Sequence, residues 1–504
     1  MLFILLATLI VAGAYLRFYE LSAAPYWMDE GYTINAVLSI SETGRSVLDS
    51  GMPYRCPLYC YPTAWLADTF GHGALTYRLI AAVFGVLLIP LIFLVGRRLF
   101  TPAVGLLSAF FITFEYFQVA WARQARWYTL FAFFFWLALF AFHRAYYSPE
   151  HRLRYGLLSA LATLLALLTH GLGYLLPFLM LGWVAVDKVL LERRCTVRQA
   201  GLLALATLAL ALTLEYALGM RRLSTLLSDL AYHNVAPFYL QYYLGAYGAL
   251  LPLALAGILL TYRTHKRSVY FLLYIATLYL LPLMFLTNVV HYRYAWHLTP
   301  ALLLLSALGT HALMSYRPHP AYRAGVLTLA GALFFLFGTG TLTPERYYFL
   351  EADDPTYPQT FPGTEGYYAY TPQPDWNSAY AFIATERTEG DIVISSHPHF
   401  NKIFLQEPGY WLAYRYHGAS TLPSSIRDGR EYYVGAQVVA SVSALRALTS
   451  EHSGFIIFDY MASDGRIPED TLQYIRRELP LAYHERTNTY SQVWVYSFGT
   501  TSAP

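Results

Sequence analysis

Residues 16–32 read Leu16-Arg17-Phe18-Tyr19-Glu20-Leu21-Ser22-Ala23-Ala24-Pro25-Tyr26-Trp27-Met28-Asp29-Glu30-Gly31-Tyr32. They follow an apolar N-terminal run, so Asp29 and Glu30 stand just beyond the end of a membrane-type helix, among tyrosine and tryptophan residues typical of an interfacial belt. Ionisable groups at membrane level are functional candidates, and we therefore interpret the pair as a catalytic base at the mouth of a membrane-embedded cavity. The alternative is that both are solvated loop acids or cap the next helix.

The composition is that of an integral membrane protein. Of the 504 residues, 56% are hydrophobic and 13% are charged, against about 25% charged in soluble domains. A net charge of +3 without a Lys/Arg cluster argues against a nucleic-acid partner. Three cysteines, Cys56, Cys60 and Cys195, are too few for a disulfide framework. Cys56 and Cys60 can pair in an oxidising compartment, but we expect two buried free thiols.

Eleven apolar runs approach the length of about 20 residues that spans a bilayer. They fall near 1–18, 74–96, 102–121, 127–146, 154–169, 172–191, 200–219, 241–261, 269–287, 297–315 and 322–340. The first run lacks the basic start of a secretory signal, so we expect it to be retained as a helix. Only Thr169-His170-Gly171 separates the fifth run from the sixth, and one long bent helix is the alternative there.

Lysine and arginine predict the orientation of these helices, because cytoplasmic loops carry an excess of both. With the N-terminus placed in the cytoplasm, the inner connections hold about twice as many of these residues as the outer ones, although the outer ones are longer. The long first connection, 19–73, then faces outward and includes the acids, with apolar segments suited to helices in the interface. An odd helix count also carries the C-terminus outside.

The chain divides after residue 340, where the apolar runs stop. Residues 1–340 are predicted to form the membrane domain, and the proline-rich stretch 341–375 an irregular linker. In 376–504, strands near 391–396, 433–438, 454–459 and 492–498 alternate with helices near 376–388, 440–452 and 468–479, which predicts a small α/β domain. No glycine-rich loop follows these strands, so we assign no nucleotide. The domain is either a structural lid or the part that recognises an acceptor.

With this topology, the unusual polar residues of the membrane domain share the outer side with the acids. They are Arg78, Glu115, Arg123, Arg126, His170, Glu215 and Arg293. Each arginine alone can simply extend its charge to the interface, but several at one level beside an acidic pair suit transfer from a phosphate leaving group. Guanidinium groups bind phosphate oxygens and a carboxylate deprotonates an incoming hydroxyl. A lipid-linked phosphate is the natural donor, because its tail lies in the bilayer.

Several short motifs within residues 1–315 resemble those of the GT-C-fold membrane glycosyltransferases, the class that includes protein O-mannosyltransferases and the lipid A aminoarabinose transferase. The opening stretch with Trp27-x-Asp29-Glu30 is similar to their first motif. The others are Pro57-Leu58-Tyr59, Arg78-Leu79, Arg123-Gln124-Ala125-Arg126-Trp127-Tyr128, Thr169-His170 and Arg293-Tyr294. Their order and shared side make the set specific.

The resemblance implies an inverting transferase that uses a polyprenyl-phosphate sugar. Asp29 would be the base beside Glu30, the four arginines Arg78, Arg123, Arg126 and Arg293 would hold the donor phosphate, and Tyr128 and Tyr294 would belong to the same site. Gln124 stands where many relatives carry glutamate, so a second acid comes from elsewhere: Glu115 is our substitute and Glu215 the next choice. This departure weakens the case for a Mg²⁺ or Mn²⁺ ion, for which Asp29, Glu30 and His170 are the candidate ligands.

The sequence therefore predicts a hexosyl- or pentosyltransferase of the bacterial or archaeal cytoplasmic membrane, with an outward-facing site. It would move a sugar from undecaprenyl or dolichyl phosphate to a protein, lipid or polysaccharide. An oligosaccharide or phospho-group transferase of the cell envelope is the alternative within the enzymes. A transporter or receptor with an ectodomain predicts ionisable residues through both leaflets, whereas the inner halves of these helices are nearly all Leu, Ala and Phe, and no internal repeat is evident.

Overall fold

The computed structural model describes residues 1–48, 51, 53–54, 56–191, 213, 234–286, 292–342, 374–413, 426–463, 466–484 and 492–499. Within these ranges, the first two thirds of the chain form α-helices and the C-terminal part forms a mixed α/β unit. The predicted fold class, a polytopic helical bundle with a small C-terminal α/β domain, is confirmed.

The helical part contains fourteen described α-helices. They are α1 Leu2–Phe18, α2 Met28–Thr43, α3 Pro57–Phe70, α4 Ala74–Leu99, α5 Pro102–Phe114, α6 Tyr116–Ala122, α7 Tyr128–Tyr147, α8 Arg152–Thr169, α9 Leu175–Val186, α10 Ala236–Tyr247, α11 Leu251–Thr261, α12 Lys266–Phe285, α13 Thr299–Tyr316 and α14 Pro320–Phe335. Every predicted run overlaps one or two helices in these ranges, except 200–219, of which only residue 213 is described. The fifth and sixth runs form two separate helices, α8 and α9.

The predicted count of eleven spans is not confirmed. Among the described residues, seven helical stretches are long and apolar enough to cross a membrane: Ala74–Leu99, Tyr128–Tyr147, Pro149–Thr169, Gly171–Val189, Ala236–Thr261, Lys266–Phe285 and Trp296–Tyr316. The helices α1, α5 and α14 are apolar but shorter. The chain is a multi-pass membrane protein, and its orientation stays a prediction.

The run predicted as one helix over 102–121 is broken at Glu115. The Glu115 carboxylate accepts a hydrogen bond from the Gln118 backbone N–H (2.7 Å) and so caps α6. The Tyr116 N–H bonds instead to the Thr339 carbonyl (2.8 Å), in the segment after α14. The backbone groups freed by the break are thus satisfied by a distant part of the chain, which hydropathy does not reveal.

Small residues let the spanning helices approach closely. A Cβ atom added to Gly309 on α13 would lie 1.8 Å from the Leu253 carbonyl oxygen of α11, and one added to Gly257 would lie 2.5 Å from the Leu305 carbonyl oxygen. Close backbone approach through glycine is a common way to pack helices in lipid, where the hydrophobic effect does not drive them together.

The connection 19–73 contains two helices, α2 and α3, as its apolar segments predict. Cys56 and Cys60 form a disulfide at the start of α3, so the expectation of two free thiols is wrong. The physical reason is the turn itself: residues four apart on a helix face the same way, and the two Cα atoms are 5.4 Å apart, within the usual disulfide range. Cys195 lies outside the described residues.

The described residues of the C-terminal part form an eight-stranded sheet. Its strands are β1 Ile392–Ser395, β2 Tyr410–Leu412, β3 Ile426–Arg427, β4 Arg430–Glu431, β5 Gln437–Val439, β6 Gly454–Asp459, β7 Leu481–His484 and β8 Val493–Phe498, in the order β3-β4-β5-β2-β1-β6-β8-β7. The four central strands β5, β2, β1 and β6 run parallel. Five helices accompany them: α15 Trp376–Glu386, α16 Pro398–Leu405, α17 Val442–Glu451, α18 Tyr460–Ser463 and α19 Glu469–Glu478.

The longer predicted elements of this unit are confirmed, whereas the short ones were missed. Four strands of two to four residues, β2, β3, β4 and β7, and the helices α16 and α18 have too little sequence to show a period. The strand predicted over 433–438 begins later, at Gln437, because the Glu431 carboxylate accepts hydrogen bonds from the Tyr433 and Val434 N–H groups and holds a turn there. Most of the predicted linker 341–375 lies outside the described residues.

The α/β unit packs directly on α2. One hydrophobic core includes Ile34 and Val37 of α2, Trp376 and Phe400 of the C-terminal part, and Val393 of β1. The connection that follows the first helix is therefore held between the helical bundle and the C-terminal sheet.

Candidate active site

The first turn of α2 presents the two acids. Trp27 precedes the helix, and Asp29 and Glu30 are its second and third residues, where the helix dipole favours negative charge. Successive residues on a helix point about 100° apart, so the two neighbouring carboxylates enter different surroundings.

Asp29 meets two arginines that are far away in sequence. Its Oδ2 atom lies 2.7 Å from Nη1 of Arg293 and 3.6 Å from Nη2 of Arg126. The Asp29 side chain keeps 15% of its surface exposed. Both arginines come from short connections, between α6 and α7 and immediately before α13, which places three charged groups at one edge of the bundle.

Arg126 is held by several further contacts. Its Nη1 donates to the Asp29 carbonyl (2.9 Å), the Thr33 hydroxyl (2.9 Å) and the Tyr54 hydroxyl (2.8 Å). Its Nη2 is 3.4 Å from the Tyr128 hydroxyl. This guanidinium therefore links α2, the segment before α3 and the start of α7.

Aromatic rings surround the two guanidinium groups. Arg126 stacks over Trp127, with 4.1 Å from its Cζ to the ring centroid, and Arg293 lies 5.6 Å over Trp27 and 5.5 Å over Tyr294. The ring of His170 is 5.7 Å from that of Tyr294, and its Nδ1 accepts from the Leu172 N–H (3.1 Å). Stacking on aromatic faces orients a guanidinium without neutralising it.

Both arginines stay charged despite their burial. Burial acts to lower the pKa of the Arg293 guanidinium, but the Tyr128 hydroxyl and the Asp29 carboxylate raise it above its usual value. Burial likewise opposes the charge of Arg126, and the hydroxyls of Tyr54 and Tyr128 together with Asp29 raise its pKa well above the ordinary value. The site is a fixed positive environment around one acid.

Glu30 points the other way, into a closed ion pair with Arg78. Arg78 donates from Nε to Oε1 (2.8 Å) and from Nη2 to Oε2 (3.0 Å), and each side chain is 1% exposed. The carboxylate also accepts from the backbone N–H groups of Ala125 (2.6 Å) and Trp27 (2.8 Å). Glu30 thus caps its own helix, which is the alternative that the sequence left open for the acids.

Arg78 and Arg123 use their donors within the protein. Besides Glu30, Arg78 donates to the carbonyls of Leu21, Ala24 and Pro25, and Arg123 donates to the carbonyls of Leu16, Tyr19 and Glu20, at distances between 2.7 and 3.2 Å. These contacts fix the chain between α1 and α2. Neither of these two guanidinium groups lies beside Asp29, where Arg126 and Arg293 are found.

Glu115, the first substitute acid, does not join this cluster. Glu115 is fully buried at the break between α5 and α6, where its carboxylate accepts from the Tyr247 hydroxyl (3.0 Å). Glu215 lies outside the described residues.

The proposed metal ligands do not form a metal site. Within the described part of the chain, no three His, Cys, Asp or Glu side chains are grouped to hold a metal ion. Asp29 pairs with arginines and Glu30 is enclosed by Arg78 and two backbone N–H groups, so Asp29, Glu30 and His170 do not fit Mg²⁺ or Mn²⁺, and we derive no step through a metal.

The sequence missed three partners of this site. They are Thr33 and Tyr54, which bind Arg126, and the Ala125 N–H, which binds Glu30. Thr33 follows Asp29 by four residues and thus one helical turn, a spacing that indicates a shared face. Tyr54 and a backbone N–H carry no comparable signal.

A model of a known protein family matches part of the chain. Residues 54–216 match the family model described as dolichyl-phosphate-mannose-protein mannosyltransferase. No curated protein matches the chain in sequence.

Solved structures match over nearly the whole chain. The chain is similar to ArnT from Cupriavidus metallidurans bound to undecaprenyl phosphate, with a TM-score of 0.59, 15% identity and 97% of each chain covered. It is also similar to the oligosaccharyltransferase AglB from Archaeoglobus fulgidus, in complex with an inhibitory peptide and a dolichol-phosphate, with a TM-score of 0.56, 15% identity, and 92% of this chain and 70% of that chain covered. The resemblance noted in the sequence is confirmed: this chain has the GT-C fold of polyprenyl-phosphate-dependent membrane glycosyltransferases.

Proposed function

We propose that the protein is an inverting glycosyltransferase that moves a sugar from a polyprenyl-phosphate donor to an acceptor outside the cytoplasmic membrane. The observation that carries this proposal is the meeting of Arg126 and Arg293 at the carboxylate of Asp29. One acid and two permanently charged donors of phosphate hydrogen bonds provide the two functions that the reaction requires. ArnT and AglB have been solved with undecaprenyl phosphate and dolichol-phosphate, respectively.

In the proposed step, an acceptor hydroxyl oxygen attacks C1 of the donor sugar from the face opposite the phosphate. The C1–O bond to the phosphate breaks, and its electron pair leaves with the phosphate oxygen. Asp29 accepts the proton of the hydroxyl. Arg126 and Arg293 stabilise the charge that develops on the departing lipid phosphate, as fixed donors do for other anionic leaving groups.

The contact between Asp29 and Arg293 has a defined place in this scheme. A guanidinium that binds a phosphate oxygen shares its N–H groups between the phosphate and Asp29. Binding of the lipid-phosphate sugar therefore weakens the contact between Arg293 and the Asp29 carboxylate, and Oδ2 becomes available to accept a proton. The aromatic rings of Trp27, Trp127 and Tyr294 keep both guanidinium groups in position as the carboxylate changes partner.

The other predicted residues take different parts. We assign Glu30, Arg78 and Arg123 to positioning, because their polar atoms are engaged inside the protein. Tyr128 positions Arg126 through its hydroxyl. His170 lies beside Tyr128 and Tyr294, with ring centroids 6.2 and 5.7 Å away, and we place it on the sugar-binding side.

The test uses purified protein in liposomes, a synthetic short-chain polyprenyl-phosphate hexose or pentose, and a panel of peptide, lipid and glycan acceptors. We expect transfer with inversion at C1, which NMR of the product anomer measures. We also expect loss of transfer in Asp29→Asn. Retention of configuration would exclude the single-displacement step. Wild-type turnover in Asp29→Asn would exclude Asp29 as the base.

A transferase of preassembled oligosaccharides is the second candidate, because the fold also matches oligosaccharyltransferases. Mass spectrometry of lipid that co-purifies with the protein separates the two. A carrier with a single sugar supports the proposal, whereas a carrier with an oligosaccharide favours the second candidate.

A further inference from the structure

The face of α2 that turns away from Asp29 is occupied by the C-terminal part of the chain. His399, near the start of α16, lies against Gly31, and its ring centroid is 4.6 Å from that of Tyr32. Tyr32 also stacks on Tyr433, with 4.2 Å between centroids. This contact joins residues more than 360 positions apart, only two residues along the helix from Asp29.

Gly31 has no room for a side chain. A Cβ atom at this position would lie 2.2 Å from Cδ2 and 2.9 Å from Nε2 of His399. Glycine inside a helix costs about 1 kcal/mol relative to alanine, so the helix alone gains nothing from it. The imidazole provides the reason for glycine at this position.

A hydrogen-bonded bridge holds the same two segments together. Nδ2 of Asn35 donates to the Gly31 carbonyl (2.8 Å) and to the His399 carbonyl (3.0 Å). Asn35 is 5% exposed and His399 is 3% exposed. The backbone of α16 is therefore tied to the first two turns of α2 by a buried amide, and the imidazole fills the space above Gly31.

The place of α16 in the topology explains why His399 reaches α2. This helix follows β1, which lies between β2 and β6, and the strand order reverses at β1. In open α/β sheets, ligands usually bind outside the carboxyl ends of the strands at such a reversal. Here α2 packs against that edge.

His399 contacts α2 as a neutral ring. Burial lowers the pKa of its imidazole well below the usual value, and the neighbouring His397 lowers it further. Its Nε2 atom is buried and makes no hydrogen bond in the described part of the chain. The ring therefore acts through its shape and its stacking on Tyr32, with no charge of its own.

We propose that His399 is a positioning residue of the active site: by seating on Gly31, it fixes the first turn of α2 and keeps the Asp29 carboxylate aligned with Arg126 and Arg293. The C-terminal part is then a component of the catalytic centre. The inference rests on the proposed role of Asp29. A displacement of 1 Å of a reacting group can lower a rate by about a hundredfold, so a small tilt of this turn is sufficient.

The test is a pair of compensating substitutions in the full-length protein. Gly31→Ala places a methyl group in the space that the His399 ring occupies. We expect kcat to fall by about tenfold to a hundredfold, whereas KM for the synthetic lipid-phosphate sugar should change much less. In Gly31→Ala/His399→Ala the collision is gone and the new methyl group takes part of the space of the imidazole. We therefore expect kcat to recover several-fold over Gly31→Ala but to stay below wild type, because the ring that holds the turn is absent. The matched control is Gly156→Ala on α8, where an added Cβ has no neighbour within 4 Å.

A second readout does not depend on the reaction. Hydrogen–deuterium exchange of the backbone amides of 28–33 should accelerate in Gly31→Ala and slow again in the double variant. If Asp29→Asn retains turnover, this exchange pattern still decides whether His399 holds the turn, so failure of the proposed function and failure of this inference are distinguishable.

Three results overturn the inference. They are unchanged kcat in Gly31→Ala, a double variant no better than Gly31→Ala, and a loss confined to the yield of folded protein with kcat per folded molecule unchanged.

Discussion

Asp29 and Glu30 are neighbours in one helical turn, yet they occupy opposite kinds of environment. Asp29 keeps 15% of its side chain exposed and contacts two arginines through one carboxylate oxygen. Glu30 is 1% exposed, and both of its oxygens are occupied by Arg78 and by backbone N–H groups. We call these the Asp29 site and the Glu30 pair.

The difference shows that two adjacent acids can lie in different environments, one open as a general base requires and one closed. A carboxylate whose acceptor positions are filled from within the protein cannot take a proton from a substrate without breaking the fold around it. A carboxylate that has only one oxygen engaged and is accessible to solvent can accept such a proton without disturbing the fold. The 100° step between successive helical residues therefore separates the acid that we propose as the base from a structural one.

The sharpest test of the difference is removal of the charge at the Asp29 site. We expect Asp29→Asn to lower turnover by about 10²- to 10⁴-fold, the usual contribution of a general base, with little change in melting temperature. Turnover and thermal unfolding in detergent measure both quantities. Asp470→Asn, on the exposed α19, is the matched control and should leave both near wild type. A variant that melts early and turns over normally would place Asp29 with the structural acids.

The opposite outcome is expected at the Glu30 pair. Glu30→Gln leaves the Arg78 charge buried without its partner, and breaking a buried ion pair costs about 3–5 kcal/mol of unfolding free energy. Thermal or denaturant unfolding measures this loss. Glu30→Gln/Arg78→Met removes both charges and should regain part of the stability. The comparison fails if Glu30→Gln folds like wild type and loses turnover as completely as Asp29→Asn.

Arg293 should show the intermediate effect. Arg293→Lys keeps the charge but loses the planar arrangement of donors. A hydrogen bond to a charged group contributes about 1.5–3 kcal/mol, so we expect kcat/KM for the lipid-phosphate donor to fall by about 10- to 150-fold. Arg323→Lys, at an exposed position of α14, serves as control. An Arg293→Lys protein with unchanged donor kinetics would remove Arg293 from the phosphate site.

The smallest effect is expected at Tyr54, which touches only the support of the Asp29 site. Tyr54→Phe removes one hydroxyl that accepts from Arg126. Because the same Nη1 keeps the Asp29 carbonyl and the Thr33 hydroxyl as acceptors, we expect a loss at the level of an ordinary hydrogen bond, about 0.5–1.5 kcal/mol. The expected decrease in kcat/KM is about two- to tenfold. Tyr61→Phe, on the exposed side of α3, should have no effect. A decrease as large as that of Asp29→Asn would mean that Tyr54 itself takes part in the step.

Most of the fold was accessible from the sequence because hydropathy is a local property. The runs 74–96 and 127–146 correspond to Ala74–Leu99 and Tyr128–Tyr147, and the strand expected over 454–459 is Gly454–Asp459. The break at Glu115 and the disulfide between Cys56 and Cys60 were not accessible. The first depends on a carbonyl far along the chain. The second depends on the backbone conformation at the start of α3, which brings the two Cα atoms to 5.4 Å.

The candidate site was only partly accessible. The sequence places Asp29, Arg126 and Arg293 on one predicted side of the membrane, and the structure brings all three together. The sequence does not indicate that Arg78 faces Glu30 while Arg293 faces Asp29. Four arginines at one predicted depth are equivalent until the directions of their side chains are known. The sequence also contains no sign that His399 seats on Gly31.

The sequence by itself determined that this protein is a helical membrane bundle with a C-terminal α/β part, and that two adjacent acids follow the first apolar run. Only the tertiary structure decided which acid is closed and which is open. The physical reason is range: apolar periodicity and helix capping act over a few residues, whereas the ion pairs join residues 48 and 264 positions apart. Such pairs form only once packing has brought distant segments together.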